Sequence, residues 1–402
     1  MADIVTTLSS DAMQGRNAFS PSIWKAADFI SGKFKQFGLE PLHGDDGYLQ
    51  RFHMYSISLD HARIAVDGRE VPQDDYFAVI NGKQVSWTAD SPVSVEEIGK
   101  GDNFRRALME SLRSDHDLVV FVDPSFAKDF RRISRYFSRP SRVFDKEKGS
   151  NKVYILGHKG SRFHVVLDKK VDRVELANVV GKIEGERADQ VVVFSAHYDH
   201  LGIIKPVDGD AIANGANDDA SGTAGVIELA KFYSQRKKPV RTIIFVAFTA
   251  EEEGGYGSKY FSRQLNPDQI VAMFNLEMIG KPSKWGPDAA WITGFDRSTF
   301  GRILQKNIKG MDFRFMPDPY PKQHLFYRSD NATLARLGVP AHSISTTQID
   351  IDRDYHQVSD EIGTLDLSSL TRTIQAVAKA SEGIVSGRDT PTRIEPAPED
   401  SE

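Results

Sequence analysis

The sequence predicts an α/β protein: a mainly parallel, mixed central sheet with helices on both faces, carrying an inserted, mostly β subdomain. Three observations predict it. VVVFS (191–195) and TIIFVAF (242–248) are continuous apolar runs, as expected of strands buried on both faces. Between them, 222–235 reads as a helix, and strands alternating with helices are the pattern of a parallel sheet. From about 59 to 176 the character changes to short β-like pieces, ARIAVDG, DLVVFVDP, KVYILG and FHVVLD, which read as an insertion.

Taken in order, the first helix covers 20–38. Ser20 can cap it, Pro21 suits its first turn and Gly38 can end it. Trp24, Ala27, Phe34 and Phe37 fall along one face, which Phe29 and Ile30 broaden. Residues 1–58 therefore form the first part of the main domain, 59–176 the inserted subdomain, and 177–386 the rest of the main domain. Within the insertion lies a basic, aromatic stretch, DFRRISRYFSRPSRVF, with arginines at 131, 132, 135, 139 and 142. It suits an acidic ligand, but a solvated helix face is the commoner use of such a pattern. The last helix spans about 366–386, with Leu367, Leu370, Ile374 and Val377 inward. The tail, 387–402, is polar with three prolines and is predicted to be disordered.

Composition narrows the function classes. Lys plus Arg number 51 against 56 Asp plus Glu, and a net charge of −5 gives no general pull toward nucleic acid or an anionic membrane. The 402 residues contain no cysteine, so disulfides and thiolate metal sites are excluded and any zinc must sit on His and carboxylate. No apolar run approaches the ~20 residues that a membrane helix needs. The opening MADIVTTLSS lacks an apolar signal core.

Open α/β sheets bind ligands beyond the carboxyl ends of their strands, so the residues after each strand carry the search. After VVVFS comes AHYDHLG. His197 and Asp199 are two apart and point the same way in extended chain, whereas alternation points His200 away. A ligating His needs its second ring nitrogen fixed by a carboxylate or carbonyl, which Asp199 can supply. NGANDDASGTAG then leads into a helix. Asp219 or Ser221 suits the cap, and Asp218 is the candidate to bridge two cations with its two oxygens. After TIIFVAF comes TAEEEGGYGS. Acidic residues suit a helix start, but three glutamates after a buried strand also offer one ligand and a free neighbour as base. Glu277, in apolar NLEMIG, is costly to bury without a cation. DYHQVSDE places Tyr355 and His356 just before the last helix.

AHYDHLG, GANDDASG, FTAEEEGGYGS, NLEMIG and DYHQVSD resemble, in order, the five motifs of metallopeptidase family twenty-eight, which holds zinc aminopeptidases and glutamate carboxypeptidases. The likeness covers about 177–386, and LSSDAMQGR resembles the family's N-terminal segment. It implies two zinc ions per chain: His197 and Glu277 on one, Glu252 and His356 on the other, and Asp218 between them. It implies Glu251 as general base, Asp199 as the group orienting His197, Tyr355 as a donor polarising the substrate carbonyl, and a cis peptide at Asp218–Asp219. The substrate implied is a peptide with a free N-terminus. A carboxypeptidase, with Arg328 or the basic insertion receiving the terminal carboxylate, and a non-catalytic binding module of the same fold are the alternatives. Most relatives are exported, which implies a periplasmic or secreted protein; a cytoplasmic one is the other option. Two departures stand out: Glu277 where many members have Asp, and Ser329-Asp330-Asn331 where many have SDH, which puts substrate contacts rather than catalysis in question.

Overall fold

A computed structural model of the protein describes residues 1–42, 47–80, 85–146 and 149–398. The chain divides into two units, Met1–Phe52 with Leu176–Glu402, and His53–Glu175. Both boundaries fall inside long strands, Leu49–Val66 and Phe163–Ile183.

In the larger unit, helices α1 (Ala2–Leu8) and α2 (Ile23–Gln36) open the chain. Its strands are β1 (Phe163–Ile183, entering from the other unit), β2 (Arg187–His197), β3 (Arg241–Phe248), β4 (Ile270–Leu276), β5 (Ala289–Ile292), β6 (Arg314–Pro317) and β7 (Ala341–Ser345). Their order across the sheet is β6-β5-β7-β4-β2-β3-β1. β7, β4, β2 and β3 are mutually parallel, β1 lies antiparallel to β3, and β5 antiparallel to β7. In register, Val193 faces Ile244 and Ser195 faces Asn275, so β2, β3 and β4 end side by side.

The apolar runs explain this centre. Val192 and Phe194 point to one face, with Ile243, Phe245 and Phe274, against α1, α2, α3 (Gly222–Ser234) and α7 (Leu367–Val385). Val191 and Val193 point to the other, with Ile244 and Val246, against Phe261 of α4 (Tyr256–Gln264) and Leu334 of α6 (Asn331–Arg336). Each such side chain, fully buried, contributes roughly 1.5–3 kcal/mol. α5 (Phe300–Asn307) packs Phe300 on Phe274. α2 ends as its sequence suggests, with Gly38 at φ +72 and Leu39 donating back to the Phe34 carbonyl.

The tail departs from its sequence. Residues 387–398 are packed rather than disordered. Ile394 is 3% exposed, Arg393 donates to the carbonyls of Pro267 and Ile270, and Arg241 donates to Asp389 and Thr390. The tail's polar groups thus find partners on the main unit, and one apolar residue enters its core, which composition alone hides. Residues 399–402 lie outside the described residues.

In the smaller unit, Tyr76–Val79, Lys152–Leu156, Leu118–Val122 and Ser94–Ile98 form a sheet in that order, the last three parallel. Two helices accompany it, Phe104–Arg113 and Ala127–Phe137. The second carries the basic stretch: Phe130 is buried beside Phe77, while Arg131, Arg132 and Arg135 are exposed and Arg132 pairs with Asp129 at 3.1 Å. This is a solvated helix face. Among the described residues, no helix is long and apolar enough to cross a membrane.

Candidate metal centre

Every residue singled out beyond a strand lies at one edge of the larger unit's sheet. His197 closes β2, Glu251 and Glu252 follow β3, and Glu277 follows β4. Asp218 sits in a kinked turn, Ala216–Ser221, leading into α3, and His356 precedes α7. Backbone strain gathers here: Ala250, Met278 and His356 adopt left-handed φ of 57, 51 and 59°. The Asp218–Asp219 peptide is cis.

Asp218 is the centre of the arrangement. Its Oδ1 lies 3.2 Å from His197 Nε2, and its Oδ2 lies 3.3 Å from His356 Nε2. Glu277 Oε1 is 3.3 Å from His197 Nε2, and Glu252 Oε2 is 3.1 Å from His356 Nε2. One carboxylate therefore faces two His–Glu pairs, one oxygen toward each.

The His197 ring carries a test of what belongs between these groups. Its Nδ1 lies 3.1 Å from the main-chain carbonyl of Asp199, which can only accept, so Nδ1 holds the proton. Nε2 then points a lone pair at two carboxylate oxygens, an arrangement that needs a cation between them. Without a metal a proton must serve: burial opposes the charged ring, but Glu277 and Asp218 outweigh it and raise His197 well above its usual range. His356 Nε2 makes no hydrogen bond among the described residues, although two carboxylate oxygens lie close by. Two imidazoles and three carboxylates, with Asp218 shared, fit zinc chemistry.

Of the two groups by which Asp199 could fix the His197 ring, one is in place. Its carbonyl, not its carboxylate at 3.8 Å, orients His197. The carboxylate instead accepts from the Glu251 N–H at 3.1 Å and fixes the loop of the three glutamates. His200, which alternation placed outside, is fully buried, with Nδ1 2.8 Å from Glu252 Oε1. β2 stops at His197, so alternation no longer applies at position 200. His200, Asp218 and Glu252 also lie close enough together to hold an ion, but His200 Nδ1 is 3.9 Å from Asp218 and 2.8 Å from Glu252, whereas His356 Nε2 lies evenly between the two carboxylates at 3.3 and 3.1 Å.

Further groups brace the set. Asp219 accepts from Gly222 N–H at the start of α3 and from Met278 N–H, each at 3.0 Å, which joins its expected capping role to the end of β4. Asp360 accepts from the N–H groups of Asn217 and Asp218 at 2.9 and 3.0 Å. Ser329 donates to Glu277 Oε2 and receives from Asn275. Asn331 is buried, donating to the carbonyls of Phe326 and Ala341, so it builds the wall and does not face the site. Lys281 pairs with Asp352 and Asp354 at 2.7 and 2.8 Å, just before Tyr355 and His356.

No sequence pattern marks Arg16. It is fully buried, and its guanidinium donates to four main-chain carbonyls, of Leu8, Tyr198, Asn214 and Gly215. Its own carbonyl accepts from His200 N–H. Burial lowers its pKa, while Asp360, Asp199 and Asp218 oppose that without touching it.

A cavity of about 260 Å³ opens on the set. Met278, Trp291, Leu325 and Ile349 give it an apolar wall, and Glu251 and Tyr355 line it beside Asp218. Burial, with the charges of Glu277 and Asp330, pushes Glu251 well above the usual carboxylate range. Tyr355 stacks on His356 with ring centroids 3.8 Å apart, and burial and the neighbouring carboxylates raise its pKa, so it stays a phenol.

Residues 178–381 match the sequence profile of Peptidase family M28. The chain belongs to that family. Among curated relatives, a probable zinc metalloprotease of Pyricularia oryzae is 42% identical over 110 residues, 27% of this chain and 22% of that protein. Aminopeptidase Y of Saccharomyces cerevisiae is 23% identical over 235 residues, 54% of this chain and 40% of that one. The matches thus span less than half the length of these relatives. Two solved structures share the M28 fold: an aminopeptidase from Aneurinibacillus sp. strain AM-1 (TM-score 0.56, 19% identity, 100% of this chain and 97% of that one) and a zinc aminopeptidase from Bacillus subtilis (0.57, 17%, 97% and 95%).

Proposed function

We propose that the chain is a two-zinc exopeptidase that releases residues from free N-termini. The observation that carries this reading is the division of Asp218, Oδ1 toward His197 and Oδ2 toward His356. His197 and Glu277 would hold one zinc, Glu252 and His356 the other, with Asp218 shared. When bound, the zinc ions supply Lewis acidity toward a carbonyl oxygen and bring the pKa of water toward about 7.

The chain's own groups do the rest. Glu251 takes a proton from the attacking water on its carboxylate and passes it to the leaving nitrogen. Tyr355, held as a phenol, donates its O–H to the developing oxyanion. The apolar wall of Met278, Trp291, Leu325 and Ile349 receives the first side chain and excludes water around it. The carboxylates around it attract a substrate ammonium, and charge pairs are worth more in a partly dry cleft than in water.

Two results test the reading. Elemental analysis after mild dialysis is expected to find two zinc ions per chain, with Asp218→Asn losing both. One zinc at full activity would defeat the two-metal proposal. In time-resolved mass spectrometry, Leu- or Ala-initiated peptides are expected to shorten stepwise from the N-terminus, and their N-acetylated forms to persist. A ladder shortening from the C-terminus would assign the carboxypeptidase alternative.

A further inference from the structure

A second cavity, of about 490 Å³, adjoins the metal centre and has Glu251 as part of its wall. Its charge is the reverse of its neighbour's. Lys259, Arg263, Arg328 and Arg336 line it, and Glu251 is the one acid among its described lining residues. In a chain of net charge −5, four cations around one hollow are a local reversal of sign. Lys259 and Arg263 stand one turn apart on α4, and Arg336 ends α6, so three of the four are held on helices.

The chain's own tail runs to this hollow. Arg393 donates to the carbonyls of Pro267, Ile270 and Leu337 at 3.0, 3.0 and 3.3 Å. The Ile394 N–H donates to the Gly338 carbonyl and the Ala397 N–H to that of Arg336, each at 3.1 Å. Gly338, at φ +85, lets the tail pass close: a Cβ there would stand 3.2 Å from the Ile394 carbonyl oxygen. The Arg336 guanidinium then donates to the Pro398 carbonyl at 2.9 Å, and Ala397 is itself part of the cavity lining. The tail is therefore tied down as far as Pro398 and delivered to the rim.

The next residues are Glu399-Asp400-Ser401-Glu402, three carboxylates in four positions. An extended chain advances about 3.3–3.6 Å per residue, so these four reach roughly 13 Å beyond Pro398, enough to cross a hollow of this volume. We propose that this acidic segment seats in the basic cavity of its own chain, its carboxylates against Lys259, Arg263 and Arg336, and thereby controls access to Glu251. The anchored Pro398 supplies the advantage of a short tether, an effective concentration of about millimolar or more. Exposed charge pairs are individually weak, so the seating is partial and salt-sensitive. Resting on the peptidase reading above, the seated segment competes with the part of a substrate beyond the scissile bond, because Glu251 must face the leaving nitrogen and forms the wall on that side.

The chain has no cysteine, so Ser401→Cys takes a single nitroxide label and spares the three carboxylates. At low salt the label's spectrum is expected to carry an immobilised component. Changing Lys259 and Arg263 to Gln, or Glu399, Asp400 and Glu402 to Gln, Asn and Gln, is expected to remove most of it, as is salt at about 1 M. On Leu-Ala-amide, stopping the zinc-loaded chain after Pro398 is expected to raise kcat/KM about three- to tenfold, carried by KM, with the two chains converging as salt rises. A label equally mobile in all three proteins, or one still immobilised in the Lys259→Gln/Arg263→Gln variant, overturns the seating. An immobilised label with kinetics unchanged by the truncation overturns the control of access. Turnover by neither chain overturns the peptidase reading and the control of access with it, while the label alone decides the seating.

Discussion

Glu251→Gln is expected to lower kcat by about 10²–10⁴-fold while zinc content stays at the wild-type level. The amide has nearly the shape of the carboxylate but cannot take up the proton of the attacking water. The loop itself should not move, because it is the Glu251 main-chain N–H, not its side chain, that is tied to Asp199. Single-turnover kinetics beside elemental analysis reads both quantities. Glu253→Gln is the comparator and is expected to retain turnover. Reversed results for the two variants would place the base at the wrong glutamate.

Arg16→Met is expected to destabilise the larger unit by about 3–5 kcal/mol, the range found when one member of a buried charged network is removed. Four carbonyls, of Leu8, Tyr198, Asn214 and Gly215, lose their donors at once, and none faces water. Each unsatisfied buried group costs about 1–3 kcal/mol, and removing the desolvated guanidinium offsets part of that sum. The acidic groups nearby, Asp360 and Asp199 foremost, also lose a counter-charge. Urea denaturation reads the loss, and Arg16→Lys should recover only part, since one ammonium cannot reach carbonyls on several sides. Zinc affinity should fall too, because the freed stretches flank His197 and Asp218. A denaturation midpoint equal to wild type would show that the guanidinium is dispensable.

Much of this architecture is legible in the sequence for a physical reason. Strands buried on both faces must be apolar throughout, so VVVFS and TIIFVAF announce themselves, and their ends locate His197 and the glutamates. Asp218 and Glu277 are legible because polar residues in glycine-rich or apolar settings ask for an explanation, and His356 through its place just before the last helix. Other features depend on where the chain stops being regular. His200 escapes because alternation ends with β2, one turn of chain too early. Arg16 escapes because an arginine in a polar segment usually lies at the surface, and only tertiary structure gathers four carbonyls around it. The tail looks unstructured because Ile394 is a single apolar residue among prolines and charges, and its partners come from elsewhere in the chain.

One short stretch, 354–360, carries Tyr355, His356 and Asp360, and Lys281 clamps its leading end through Asp352 and Asp354. The proposed proton donor, a candidate ligand and the anchor of the Asp218 turn therefore travel together. Displacing this stretch cannot loosen one function and spare the others, so the segment behaves as a single mechanical handle on the whole centre. Any molecule that gripped it from outside, at Lys281 or its two aspartates, would be energetically coupled to occupancy of the site, and occupancy would alter the grip of that molecule to the same degree.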